Sequence, residues 1–169
     1  MLNKRLCSPT ALAATGLVIA IVLIGQPVVL SNPGYNLVAM VYGNNLVSTT
    51  SVSWVYLMGT PYISVPGTGT AIATFSVEAT LLSSGGSIYV LAILCGPSGC
   101  YVMRPNVQVA IVDSLSSTCP SCFRTSSFTF YYSIPSSGAY KVVMWWRAGS
   151  SGDSGAVIAR TLIFLAHQD

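Results

Sequence analysis

Thr70-Ala-Ile-Ala-Thr-Phe-Ser-Val-Glu-Ala-Thr-Leu81 is the stretch that decides the fold. Ala71, Ala73, Phe75, Val77, Ala79 and Leu81 fall on one face of an extended chain. Thr70, Thr74, Ser76, Glu78 and Thr80 fall on the other, with Ile72 the one apolar exception. Successive side chains of a strand point to opposite faces, so a period of two describes a strand with one face in a core and one in water. The alternation returns in Phe128, Phe130, Tyr132 and Ile134 against Thr129, Tyr131 and Ser133. Tyr140–Arg147 follows a Pro135-Ser-Ser-Gly138 turn, and further strand candidates are Leu37–Tyr42, Val47–Met58, Ser87–Cys95, Val107–Asp113 and Ala156–Ala166. Clusters of Gly, Pro, Ser and Asn separate them, as turn chemistry requires. No helical period appears beyond residue 30. The expectation is an all-β chain, with one jelly-roll-like β-sandwich over residues 32–169. Ile88–Leu94 and Val157–Leu165 are apolar on both faces, which predicts interior strands.

The run Phe128-Thr-Phe-Tyr-Tyr-Ser-Ile-Pro-Ser-Ser-Gly-Ala-Tyr140 resembles a hairpin common in secreted jelly-roll and pre-peptidase-type sandwich domains. That resemblance is structural and carries no functional residues with it.

Ahead of the strands, residues 11–30 read ALAATGLVIAIVLIGQPVVL, with Lys4 and Arg5 in front. A basic start followed by an apolar core at Leu17–Ile24 is signal-peptide architecture. The leading charges hold the N-terminus inside and send the remainder out. Residues 1–31 are therefore read as a hydrophobic signal or anchor helix. Gly25 and Ser31 are passable cleavage sites; uncleaved, the stretch from Leu12 to Leu30 is long enough to span a bilayer. Either way, the expected location is extracellular or at the cell surface, with a membrane as partner during export or through residues 11–30.

Only 7% of the 169 residues are charged, against roughly 25% in an average soluble domain, while 52% are hydrophobic. Disordered chains are charge-rich and apolar-poor, so disorder is excluded. The formal charge of +3 includes Lys4 and Arg5; Arg104, Arg124, Lys141, Arg147 and Arg160 nearly balance Glu78, Asp113, Asp153 and Asp169. No basic stripe exists to displace counterions from nucleic acid, so no nucleic-acid partner is expected. A surface of Ser, Thr, Gly, Tyr and Asn titrates little and repels its copies little, which suits a coat or filament better than a free enzyme.

Cys95-Gly-Pro-Ser-Gly-Cys100 closes a tight turn between strands, and Cys119-Pro-Ser-Cys122 lies in a Ser/Thr-rich loop. In an exported chain such pairs form disulfides. Local pairing, Cys95–Cys100 and Cys119–Cys122, is the expectation, with pairing across the two loops as its rival. A four-cysteine zinc site has compatible spacing, but an oxidising compartment favours disulfides over thiolate ligands, and no metal is expected. Cys119-Pro-Ser-Cys122 also looks like a thioredoxin-type motif, which needs its first Cys at a helix N-terminus. Strand pattern follows instead.

Catalytic constellations fail on chemistry. Gly152-Asp153-Ser154-Gly155 resembles the sequence around the nucleophile of chymotrypsin-like proteases, but the only histidine, His167, comes thirteen residues after Ser154 and not well before it. A serine without its base has no mechanism. Glu78 and Asp113 are the one plausible carboxylate pair, and glycoside hydrolysis needs both across a single cleft. Neither an enzyme nor a cofactor is expected.

Three readings of function follow. In layout and composition the chain resembles archaeal secreted filament subunits, the threads and bundling pili, described as an N-terminal strand plus a jelly-roll head. That resemblance implies a self-assembling homopolymer, and residues 28–42 (VVLSNPGYNLVAMVY) are the candidate donor strand, through Val28, Val29, Leu30, Tyr35, Leu37, Val38, Met40 and Val41. Strand donation to a neighbour's open edge satisfies backbone hydrogen bonds in both subunits. A virion structural protein is a second reading of the same features. The third is a carbohydrate-binding module using the candidate surface aromatics Tyr56, Tyr62, Tyr131 and Trp145, because aromatic faces pack against sugar rings. Trp145 and Trp146 are adjacent, so on a strand one of them must be core.

Overall fold

A computed structural model of the chain describes residues 28–31, 36–83, 85–113 and 122–168. The expected signal or anchor segment up to residue 27, Tyr35 and Cys119 lie outside them. Among the described residues there is no helix. The strands are β1 (Val28–Ser31), β2 (Asn36–Gly43), β3 (Val47–Thr49), β4 (Val55–Gly59), β5 (Ile63–Val65) and β6 (Gly69–Leu81). They continue as β7 (Ser87–Gly96), β8 (Gly99–Val102), β9 (Val109–Asp113), β10 (Arg124–Ile134), β11 (Gly138–Ala148) and β12 (Gly155–Gln168).

They form two antiparallel sheets. The first runs β1-β2-β12-β6-β10, with β3 also on β12; the second runs β4-β11-β7-β8, with β5 on β11 and β9 on β7. Several short strands are halves of one interrupted strand. β2 and β3 succeed each other along β12, β4 and β5 along β11, and β8 and β9 along β7. Joined in this way, the first sheet reads β2/β3, β12, β6, β10, and the second reads β4/β5, β11, β7, β8/β9. The doubly apolar stretches around Ile88–Leu94 and Val157–Leu165 lie in β7 and β12, which have neighbours on both sides.

The inward faces interlock small side chains with large ones. Across the first sheet, Ala39, Phe164, Ala73 and Phe130 stand in one register row, each 1% exposed or less. Across the second, Met144 faces Ala92 and Ala148 faces Ile88, all buried. Such alternation lets one sheet's rings fill the hollows over the other's alanines at crystal-like density. Trp146 is core, 3% exposed, and Trp145 faces out.

One departure from the sequence reading has a local cause. Val47–Met58 is not one strand. It divides into β3 in the first sheet and β4 in the second, because the hydroxyls of Thr49 and Ser51 take the backbone bonds. Ser51 N donates to Thr49 Oγ1 at 3.1 Å, Ser53 N donates to Ser51 Oγ at 3.2 Å, and Ser51 Oγ donates to Ser53 O at 2.9 Å. Hydroxyls that bond the nearby main chain compete with a ladder and turn it. The sheet begins at Val28, within the stretch 28–42 read as a strand, and Val28–Ser31 pairs with Met40–Leu37.

Arg160 holds the break between β2 and β3. It is 7% exposed, its guanidinium stacks where a Cβ on Gly43 would lie 3.0 Å from Cζ, and it donates to Asn45 O at 2.7 Å and Asn45 Oδ1 at 2.8 Å. Its Nε is buried without a partner, and burial pulls its pKa below the ordinary value. The bulge in β12 between Val157 and Arg160 turns this side chain to the opening.

Replacing Phe164 by Ala should cost about 3–5 kcal/mol of unfolding free energy, the usual loss for a buried phenylalanine. Thr129→Ala, on the outward face, should stay within about 0.5 kcal/mol. Urea denaturation of both variants checks the assignment of faces.

Candidate functional site

The residues singled out by sequence fall into four places. Cys95 and Cys100 are register partners in the β7–β8 hairpin and are disulfide-bonded to each other. That removes both the pairing across the loops and the four-cysteine zinc site. The hairpin tip is packed down: Pro97 fills the space beside Gly138, and a Cβ on Gly96 would overlap the Tyr140 ring. Cys122 is disulfide-bonded as well, to a cysteine outside the described residues. It stands two residues before β10, a strand, which is not the helix start that a redox Cys-x-x-Cys needs.

The motif Gly152–Gly155 is the β11–β12 turn, and its groups are committed to structure. Asp153 Oδ2 accepts from Ser87 N at 3.1 Å and Ser150 N at 3.0 Å, while Oδ1 accepts from Ser150 Oγ at 2.9 Å. Ser154 N donates to Ser83 Oγ at 3.1 Å, and Ser154 O accepts from Leu82 N at 2.8 Å. His167 lies at the other end of β12, about 40 Å from Ser154 along an extended chain. Glu78 faces outward on the first sheet between buried Val77 and Ala79, whereas Asp113 ends β9 in the second. The two do not share a cleft.

The donor-strand candidates divide by face. β2 pairs along its length with β12 of its own chain, Val38 opposite Leu165 and Met40 opposite Ile163. Ala39 is buried, Leu37 and Val41 pack against the core, and Val38 and Met40 face outward. There they join a row that no periodicity rule reveals. Val38, Leu165, Ile72 and Tyr131 are consecutive register partners across β2, β12, β6 and β10, and Met40 and Ile163 lie beside them. Tyr131 is 50% exposed and Ile163 36%. The one exception to the alternation in β6, Ile72, is the middle of this row. Past it the same face turns polar, with Ser76 and Ser127 hydroxyls bonded at 2.9 Å.

Three of the four surface aromatics gather on the outward face of the second sheet, while Tyr131 belongs to the first. Tyr56, 60% exposed, meets Trp145 edge-on, ring centroids 6.4 Å apart and planes at 89°. Its hydroxyl leans into the hollow over Gly59, against Val143. Lys141 Nζ stands 4.7 Å above the Tyr62 ring. Arg147 lies over Trp54 at 5.3 Å and Tyr89 at 5.6 Å, and donates to Gln108 Oε1 from Nη2 at 2.7 Å and Nε at 3.2 Å. Tyr89, Gln108, Lys141 and Arg147 are the members that sequence reasoning missed. The signal for two of them was present, since Lys141, Trp145 and Arg147 share one parity along β11.

Comparisons reach the fold and stop there. No protein-family model matches the chain, and no match is found among curated proteins. Among solved structures, the chain is similar to the infectious bursal disease virus VP2 subviral particle protein: TM-score 0.52, 11% identity, 85% of this chain and 38% of that one. The chain thus spans little more than a third of VP2. A structure of infectious bursal disease virus, Gx strain, gives a TM-score of 0.49 at 12% identity, over 85% of this chain and 37% of that one. A carbohydrate-binding module of Cellvibrio mixtus lichenase 5A, in complex with cellotriose, gives 0.31 at 11% identity, over 85% and 87%. At 11% identity the likeness to VP2 is one of fold.

The hydrogen bonds from Ser87 and Ser150 hold the Asp153 carboxyl below the ordinary carboxylate range, the Ser87 N–H foremost. A lowered folded pKa adds stability above the unfolded value near 4 that disappears as pH falls through the folded one. Asp153→Asn should therefore flatten the melting curve's dependence on pH below about 4. At neutral pH it should lower Tm by about 2–4 °C, the shift produced by losing about 1 kcal/mol of hydrogen bonding in a domain of this size. Thermal melts from pH 2 to 7 check both.

Proposed function

We propose that this chain is an exported, non-enzymatic structural subunit that assembles with copies of itself outside the cell. The observation that carries the reading is the outward apolar row Val38–Leu165–Ile72–Tyr131, with Met40 and Ile163, on a face where Glu78 is the nearest acid along β6. A contiguous apolar patch rimmed by hydroxyls marks an interaction surface in a protein that lives in water. The strand order, β2/β3-β12-β6-β10 against β4/β5-β11-β7-β8/β9, is that of a jelly roll, an architecture that recurs in capsids and lectins.

The finer reading is a filament of the archaeal thread or bundling-pilus kind, polymerising by donation of residues 28–42. Support comes from the position of β1 and β2. Among the described residues they form one side of the first sheet, pair only with each other and with β12, and connect to β3 through Asn44-Asn45-Leu46. The pair can leave its own β12 and lie on a neighbour's without breaking the ladder of any other described strand, which is domain exchange. A closed shell of the virion type uses the same face without exchange.

Light scattering on the mature protein should report very large assemblies, and a stable monomer at high concentration would end the proposal. Ile163→Glu, outward on β12, should yield folded monomers with an unchanged near-ultraviolet spectrum. The double variant Met40→Cys/Ile163→Cys separates the finer readings. Donation predicts a non-reducing gel ladder of cross-linked chains, whereas a monomer band from intact assemblies eliminates donation and leaves shell-type packing.

A further inference from the structure

We propose that the outward face of the second sheet binds an acidic polysaccharide, a function separate from assembly through the first sheet. Lys141, Trp145 and Arg147 are partly exposed on the outward side of β11, whereas Val143 between them is buried, as are Tyr140, Val142, Met144 and Trp146. Lys141 and Arg147 are six residues apart, which places their Cα atoms about 20 Å from each other on a strand. Between them stand Trp145 and Tyr56, two rings at right angles. This is a linear track, with a cation at each end and aromatic surface in the middle.

The cations point to the sign of the ligand. Lys141 stands over the Tyr62 ring and Arg147 over Trp54 and Tyr89, and among the described residues neither forms an ion pair with a carboxylate. Among the described residues the acids nearest this face, Asp113 and Asp153, lie by Ser87, two residues along β7 from Tyr89 at the Arg147 end of the track, and Asp153 is engaged there by Ser87 and Ser150. A guanidinium has five N–H donors. Arg147 uses three of them, two on Gln108 Oε1 and one on Val52 O at 3.3 Å. Two remain for a ligand, on a planar group already fixed by stacking and hydrogen bonds, so that binding orders little that is not ordered beforehand. In a chain with so few charges, two unneutralised cations on one aromatic face are complementary to an anionic partner. Aromatic rings add the apolar faces against which sugar rings pack. A uronate-bearing glycan combines both chemistries along a line.

Polygalacturonate and neutral dextran, titrated into the mature protein with tryptophan fluorescence as the readout, test this. Polygalacturonate should change the Trp emission and bind at least about tenfold more tightly than dextran, with affinity falling as salt rises from 20 to 300 mM, roughly a fourfold change of screening length. Lys141→Gln and Arg147→Gln should each weaken binding by about two- to fivefold, in line with one exposed charge pair. Tyr56→Ser, at the most exposed ring of the track, should weaken it about tenfold without lowering Tm, which keeps the test valid if a Trp145 variant folds poorly. Equal binding of dextran and polygalacturonate overturns the proposal. So does binding to vesicles of anionic lipid with none to polygalacturonate, and so does a response that survives Lys141→Gln, Arg147→Gln and Tyr56→Ser.

Discussion

Two sheets closing on each other with rings set against alanines is the constraint on which the rest of the molecule depends. The row Ala39–Phe164–Ala73–Phe130 shows why. Each phenylalanine is flanked by residues too small to compete for its space, so the ring stands up into the opposite sheet instead of lying on its own. A one-residue slip of β12 against β6 would put Phe164 outside and Ile163 inside. The register is therefore set by core volume, and every outward pattern follows from it.

The polar groups that do enter the interior sit where strands break. Thr60, 5% exposed, bridges the interruption between β4 and β5: its N donates to Val142 O at 2.9 Å and its Oγ1 accepts from Val142 N at 3.0 Å. Arg160 does the corresponding work between β2 and β3, reaching Asn45 across the space left by Gly43. Unpaired buried backbone groups are costly, and in both places a side chain supplies the bond that the ladder lacks. Each break stays within its own sheet, β2 and β3 along β12 and β4 and β5 along β11, whereas the chain changes sheet between β3 and β4.

The two outward faces are unlike. On the first sheet an aliphatic row gives way to hydroxyls, and the hydroxyls pair with one another. On the second, aromatic rings are interleaved with two cations held by stacking. Aliphatic surface is indifferent to the chemistry of what covers it and favours another copy; rings and cations select by shape and charge. One charge-poor fold thus carries an aliphatic face and an aromatic, cationic one, back to back across a single core.

Most of the architecture was legible in the residues, for a physical reason. Alternation along Thr70–Leu81 and Phe128–Ile134 reports which atoms leave water, and that preference acts locally, residue by residue. The same locality made the Cys95–Cys100 turn readable, as well as the interior positions of β7 and β12, and the division of Trp145 from Trp146. What the chain alone did not disclose concerns relations between distant strands. Ile72 looked like an error in a pattern until β12 brought Leu165 and β10 brought Tyr131 beside it. Val47–Met58 looked continuous until Thr49 and Ser51 turned it from one sheet to the other. Arg147 looked like a surface charge until β4, β7 and the loop with Gln108 converged on it. Side-chain periodicity is written along the backbone, whereas adjacency across strands is set by register, which only the packing of the whole core determines.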